Sequence, residues 1–513
     1  MLGRGRALPV YCLLVGSQHI GRPPLPGHPT VEPALIDPAT WKDTMTRLLR
    51  LLTGLLAVLV LVVGVRVTLE PTSRGPVAPS AVTPTQQLLP SAVPLPEVLA
   101  PLSPSAPAPD PAVLGPRLDA ALRFQGPGTF AGTVVDASDG TVLFSREAAR
   151  LQAPASNIKL FTAVAAMTYA EPGERLTTSV LASTDRPGAL YLHGGGDVLL
   201  SAGPSDPDAV AGHAGLGTLA AGTAEALDPG AGPYTVYLDD SLFTGPALNP
   251  TWARGDIDAG QIAPVHALAV NSAWPGEGRT SGPRSQDAAL DAARTFAAAL
   301  SAAAAERGVT VGPGVERASA PGGARVVAAV ESAPLEDQVR RMLEVSDNYL
   351  AEALARGAAL RSGRPASSDG ATRTLAAAAE RLGVPGEGLV LGDAAGLSVR
   401  NAVSPVQLAV LLRATTTSGV PGLVAVARSL PVAGATGTLS GRFEDGGSAA
   451  GAGVVRAKTG TLNAVTALSG HVVTVDGRLV VFSFLATGLD GNTARARAAA
   501  DGAAATLASC GCR

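Results

Sequence analysis

Hydrophobic and polar positions fall into distinct regimes along this chain, and their order is the first guide to its organisation. Residues 1–44 show no periodicity and are broken by proline, so they predict no stable element, and a start at Met45 would leave them untranslated. Met45 opens a different pattern, in which Arg47 and Arg50 precede an apolar run over 51–65 that Arg66 closes. A short basic stretch before an apolar run is the layout of an export signal. Over 45–69 a cleaved signal peptide and an uncleaved signal-anchor are both open, because the run is short for a spanning helix. Basic residues before the run and no basic cluster after it put the bulk of the chain outside the cytoplasm. Translation can start at Met1 or at Met45. Residues 70–111 are rich in Pro, Ala and Ser with no amphipathic pattern, which predicts an extended spacer.

Periodic sequence begins near residue 113. Two β-prone runs, 129–135 and 141–145, meet around Asp139-Gly140 and predict a hairpin. A helical stretch starts at Ser156 and ends by Pro172-Gly173. Residues 176–334 are punctuated by Gly and Pro, with a short strand at 234–239 and an Ala-rich helix over 288–306. Helical patterns return at 335–345 and 349–360, strands at 454–458, 465–475 and 479–486, and a last Ala-rich helix at 493–507. Strands at both ends of a mostly helical middle predict an α/β (α+β) fold, one antiparallel sheet built from distant segments and flanked by helices. Residues 112–175 and 335–509 then form one domain, into which 176–334 is inserted as one or two small domains.

Composition changes this picture in a few places. A net charge of −3 over 513 residues gives no field to recruit nucleic acid, and only the N-terminal segment predicts a membrane contact. Of 39 basic residues only Lys42, Lys159 and Lys458 are lysine. A position that keeps lysine against such a bias suits a role that arginine cannot fill, as an amine that loses its proton or as a compact charge. The three cysteines, Cys12, Cys510 and Cys512, have no zinc-site spacing, and pairing of the last two or a free-thiol tail are both open. No metal and no cofactor are expected. His193, His213, His266 and His471 are scattered with no carboxylate at recognisable spacing. Asp239-Asp240 reads as a solvated turn, since neighbours on a strand point to opposite faces. Gly194 to Gly196 reads as a tight turn and not as a phosphate loop.

The chemistry is carried by Ser156 and Lys159, which share one helix face one turn apart. Serine needs a base to become a nucleophile, and a buried lysine can be that base. A chain of this length shows Ser-x-x-Lys about once or twice by chance, so the pair alone decides little. Two further elements follow in order. Ser346-Asp347-Asn348 lies between helical segments, and Lys458-Thr459-Gly460-Thr461 ends one β-run before the next. The three together are the signature of penicillin-recognising active-site-serine enzymes.

From about residue 130 to 507 the chain resembles the D-alanyl-D-alanine carboxypeptidases of peptidase family S13, the class C low-molecular-mass penicillin-binding proteins. Gly194-Gly195-Gly196-Asp197, Gly396-Leu397-Ser398 with Asn401 and Ser404-Pro405, Leu430-Pro431-Val432-Ala433-Gly434 and Gly437-Thr438-Leu439 extend the likeness. Val198 after the glycines and Ala394-Ala395 before Gly396 depart from the family pattern and put the local loops in question. The resemblance implies a penicillin-binding, β-lactamase-like transpeptidase domain with an insertion between the first two motifs. It implies Ser156 as nucleophile, Lys159 as base and Ser346 as proton relay to the leaving amine. Asn348 would hold Lys159 and the substrate amide, and Lys458 would supply positive potential that lowers the pKa of Lys159. Thr459 with Lys458 would hold the terminal carboxylate, Gly460 lies within that motif, and Thr461 with Ser156 would offer oxyanion-hole N–H groups. The implied partners are peptidoglycan stem peptides ending in D-Ala-D-Ala, with β-lactams as covalent inhibitors; the activity is carboxypeptidase, with endopeptidase open. A β-lactamase would need a dedicated deacylating group that the sequence does not display. A catalytically silent cell-wall binding protein is the alternative of another class.

Overall fold

A computed structural model describes residues 105–512, with 102 and 103, apart from 172, 231 and 277. The expectations for 1–44 and 45–69, and most of that for 70–111, lie outside these residues. Among the described residues, regular structure begins slightly earlier than the sequence pattern suggested. Asp110 accepts from Ala112 N and caps α1 (Pro111–Ala121), while its own N–H donates to Cys512 O.

One five-stranded sheet joins β1 (Thr129–Asp136) and β2 (Val142–Arg146) near the start of the described residues to β8 (Arg456–Leu462), β9 (Val465–Val473) and β10 (Leu479–Thr487) near their end. Its order is β2-β1-β10-β9-β8, and every neighbouring pair is antiparallel. Alternation along β10 divides its two faces. Val480, Phe482, Phe484 and Ala486 pack against α1 and the C-terminal helix Thr493–Ala508, whereas Val481 and Leu485 face the other layer. Cys510 and Cys512, just past that helix, form a disulfide.

The second layer is centred on α2 (Ile158–Tyr169), whose residues from Ile158 to Met167 are all buried. A helix apolar on every side belongs inside a fold, and α2 packs on the helices Leu335–Val345, Asn348–Arg361, Ser368–Arg381 and Pro421–Arg428.

The sequence between these parts forms a second sheet that the hydrophobic pattern had shown only in fragments. Its order is β6-β5-β4-β3-β7, with β3 (Thr177–Ala182), β4 (Ala189–His193), β5 (Tyr234–Asp239), β6 (Val311–Arg317) and β7 (Arg325–Glu331). β4-β5 and β5-β6 are parallel, and the other pairs antiparallel. The sheet has its own core under the helices Leu216–Ala226 and Ala288–Ala305. By contrast Val198, Trp252, Ile257, Ile262 and Val265, from the connections between its strands, join the core around α2.

The solvated-turn reading of Asp239-Asp240 is overturned. Asp239 is buried at the end of β5, where its carboxylate accepts from Ser241 N and Oγ and from Ala320 N. His193 Nδ1 lies 3.1 Å from Asp239 Oδ2, and His266 Nδ1 lies 3.3 Å from Asp240 Oδ2. Both histidines therefore have the carboxylate partner that sequence spacing had hidden, because strand pairing supplies it from 46 residues away for His193.

Candidate active site

Ser156 sits in a 3-10 turn, Ala155–Asn157, that leads directly into α2. Ala155 holds the left-handed region at φ 48°. Gly396 packs so closely on this turn that a Cβ there would lie 2.1 Å from Ala155 O. On the other side Gly460 of β8 approaches, and its Cβ would meet Pro154 O at 2.9 Å. The turn is thus held between a loop and an edge strand, each of which needs glycine at the contact.

Lys159, one turn into the helical segment, is fully buried. Its Nζ lies 3.1 Å from Ser156 Oγ and donates to Asn348 Oδ1 and to Ala395 O, each at 2.6 Å. Ala394-Ala395, questioned from sequence, form a well-tied loop. Thr162 Oγ1 donates to Ala394 O at 2.7 Å, and both alanine N–H groups donate to Glu352 Oε1 at 2.7 and 3.0 Å. Asp393 next to them accepts from the N–H groups of Gly396, Leu397 and Ser398, from Asn401 Nδ2 and from Trp252 Nε1.

Ser346 occupies the left-handed region at φ 59° between the helices Leu335–Val345 and Asn348–Arg361. Asp347 caps the second helix by accepting from Tyr349 N and Leu350 N. Lys458 Nζ reaches across from β8 to donate to Ser346 Oγ at 3.0 Å and to Thr459 O at 2.9 Å. Thr459 Oγ1 donates to Thr438 Oγ1 at 2.8 Å. Segments far apart in sequence therefore bring Ser156, Lys159 and Asn348 into one hydrogen-bonded group and Ser346, Lys458 and Thr459 into a second, adjoining through the chain at 346–348, with Gly460 and Thr461 on the same edge strand as Lys458. A cavity of about 280 Å³ opens beside Ser346 and Asn348 and is also lined by Gln261, Trp274, Arg279, Arg284 and Arg341.

Burial is the leading cause that brings the pKa of Lys159 down to about 8; the charges of Asp393, Asp347 and Glu352 oppose it, and Arg284 adds to it. The repulsion between the two lysines falls on Lys458, lowered well below the usual range by burial first and then by Lys159 and Arg442. The resemblance had implied Lys458 as the group that depresses Lys159; burial is the leading cause instead, and Arg284 is the cation that adds to it. Glu352, also fully buried, is raised to about 7, by burial and then by Asp393.

Sequence reasoning missed Glu352, Asp393, Gln261 and Arg284. Glu352 lies within the helical pattern at 349–360 and Asp393 directly before Ala394-Ala395, but nothing in their spacing marks a brace. Among the described residues, no three His, Cys, Asp or Glu side chains gather as a metal site.

The D-Ala-D-Ala carboxypeptidase 3 (S13) family model matches residues 117–280 and 275–508. The chain is 36% identical over 415 residues to Carboxypeptidase DacB of Mycolicibacterium smegmatis, covering 80% of this chain and 87% of that one. A D-alanyl-D-alanine carboxypeptidase of an Actinomadura species is 29% identical over 432 residues, 70% of this chain and 77% of that one. The solved structure of penicillin binding protein 4 from Haemophilus influenzae superposes with a TM-score of 0.61 at 21% identity, over 76% of this chain and 97% of that one. It has the same penicillin-binding fold.

Proposed function

We propose that Ser156 is the acyl-bearing nucleophile and Lys159 its general base in this chain, which belongs to the D-Ala-D-Ala carboxypeptidase 3 (S13) family and is a serine-type D-Ala-D-Ala carboxypeptidase. The observation that carries the assignment is the set of contacts at Lys159 Nζ. A neutral amine has two N–H donors and one lone pair. Ala395 O can only accept, and Asn348 Oδ1 is the amide atom that faces Nζ because Asn348 Nδ2 donates to Gln261 O at 3.0 Å. These two acceptors, each 2.6 Å away, take both donors. The lone pair is left for the proton of Ser156 Oγ, 3.1 Å away.

In acylation Oγ attacks the carbonyl carbon of the penultimate D-Ala as its proton passes to Nζ. The N–H groups of Ser156 and Thr461 meet the oxyanion, a kind of contact worth about 3–4 kcal/mol per donor. Collapse breaks the C–N bond, and the departing D-Ala amine takes a proton through Ser346. Water then cleaves the ester with the same base. Lys458 and Thr459 hold the terminal carboxylate. That carboxylate favours the charged form of Lys458 and so opposes the burial that lowers its pKa. A cross-linked stem peptide differs only in the amine that leaves, so DD-endopeptidase activity follows from the same acyl-enzyme.

The substrates are peptidoglycan stem peptides ending in D-Ala-D-Ala, and β-lactams acylate the same serine. Residues 112–175 and 335–509 form the catalytic domain, with 176–334 inserted. The protein acts outside the cytoplasm, exported or tethered through 45–69. Purified protein incubated with a fluorescent penicillin is expected to carry one covalent label on the peptide containing Ser156, and to release D-Ala from a pentapeptide. Folded protein that takes no label, or Ser156→Ala that still labels at the wild-type rate, would sink the assignment.

A further inference from the structure

Arg284 is a buried cation in the inserted segment that the reaction above does not use. Its Nε donates to Gly260 O at 2.9 Å, its Nη1 donates to Ser272 O, and its Nη2 lies 3.8 Å from Asp347 Oδ1. The guanidinium stacks over the Trp274 ring, 4.0 Å from the centroid. Each arm ends next to an active-site contact. Gln261, which follows Gly260, accepts from Asn348 Nδ2, and Ser272 Oγ donates to Asp347 Oδ2 at 2.6 Å.

We infer that Arg284 is a positioning residue for acylation: by tying the 260–261 turn, the 271–273 turn and Asp347 to one guanidinium, it fixes the direction in which the Asn348 amide, and so the Lys159 lone pair, must face. The inference rests on the roles proposed for Ser156 and Lys159.

The backbone supports it independently. Asn271, Ser272 and Ala273 all hold positive φ, at 46°, 52° and 65°. Consecutive non-glycine residues persist there only where the surroundings over-determine them. Arg284 at Ser272 O and Ser285 N at Ala273 O, 2.9 Å, are part of that constraint, together with Asn271 N at Leu200 O, 3.1 Å, and Ser272 N at Val198 O, 2.7 Å. Burying a guanidinium costs several kcal/mol before its contacts are counted, which a purely packing role does not require. Arginine's rigid fork serves several acceptors at once, as lysine's single ammonium does not. Charge acts as well as shape. Lys159 is faced by Asp347 and Glu352 at the Ser346-Asp347-Asn348 helix, Asp393 in the loop, Lys458 on β8 and Arg284, and Arg284 is among the influences that lower its pKa.

The test is the rate of acylation of the whole purified protein by a fluorescent penicillin, followed to full occupancy across pH. Wild-type labelling at Ser156 is read first; if it fails, the proposed nucleophile fails and the variants are not the cause. Arg284→Lys keeps a cation near Asp347 but loses the fork. Complete final labelling at a rate lowered about 10²-fold is expected, with the acidic limb of the profile unmoved. Arg284→Met should be at least as slow, with that limb moved to higher pH, because an influence that lowers the Lys159 pKa has gone. Ser272→Ala removes a single hydroxyl, keeps the protein testable if the arginine variants do not fold, and should slow acylation roughly 2- to 10-fold. Arg284→Lys or Ser272→Ala at the wild-type rate overturns the inference. So does a variant in which only a fraction labels and that fraction reacts as wild type, since Arg284 would then hold the fold and not the site.

Discussion

Lys159 and Lys458 are both fully buried, and their surroundings give them different tasks. Lys159 meets two pure acceptors and a serine, whereas Lys458 meets a serine and one carbonyl. Lys159→Arg should lose about 10²–10⁴-fold in acylation rate, the usual worth of a general base, because a guanidinium does not give up its proton near neutral pH. Lys458→Arg should keep a reduced but measurable rate, since a cation still faces the substrate carboxylate. Equal loss in both variants would remove the basis for choosing the base. The sign of the pH dependence follows from the same group. A lysine that acts as the base, as proposed for Lys159, must be neutral, and the Lys159 pKa is lowered to about 8, so acylation should rise with pH through that region and level off above it. A rate that falls as pH rises from 7 to 9 would show that the protonated amine is the active form. These side chains were legible because each motif is short and keeps chemically distinctive residues together. Their bracing was not. Lys159 and Asn348 are 189 residues apart, and Arg284, Gln261 and Glu352 acquire their roles only through such long-range contacts.

At the scale of elements, the site depends on close approach. The turn Ala155–Asn157 lies between β8 and the loop at 393–398, and backbone, not side chain, sets the distances. Gly396 combines φ +93° with a Cβ position 2.1 Å from Ala155 O and 2.9 Å from Ser156 N. Gly396→Ala should therefore cost roughly 2–4 kcal/mol in stability, from strain and overpacking together. It should also slow acylation more than a stability loss alone explains, because the displaced atoms belong to the turn that carries Ser156, the proposed nucleophile. Urea denaturation alongside acylation kinetics separates the two effects, and an alanine variant that acylates like wild type would mean that the loop yields and the turn does not. The same scale explains which elements the sequence revealed. The β9-β10 hairpin and α2 have clear apolar patterns because both are buried. β6 contains Gly312, Pro313 and Gly314, which read as breakers, and it exists as a strand because it is the edge of its sheet, where proline is tolerated. β7 leaves most of its positions half-exposed or exposed, so no clean alternation marks it.

For the described residues as a whole the question is whether 176–334, proposed as an insertion, is an appendage or part of the core around α2. Its sheet has a separate apolar cluster, which favours independence. The connections between its strands do not, since Trp252, Ile257 and Ile262 pack in the cluster around α2, and Trp252 Nε1 donates to Asp393 at 3.0 Å. The chain has three tryptophans, Trp41 near its start and Trp252 and Trp274 within the insertion. In protein truncated to begin at Ser105, tryptophan fluorescence, excited selectively over tyrosine, therefore reports only on the 176–334 segment, at the places where it meets the helices around α2. Penicillin labelling of Ser156 reports on the site itself. If the connections are part of the core, the two probes should lose signal at the same urea concentration, the signature of one cooperative unit. Labelling that survives after the tryptophans have become exposed would show that the motifs of the catalytic part hold their geometry unaided. The contacts from Trp252 and Gln261 would then be accessories, and the long insertion a structure carried by the site without being required for it.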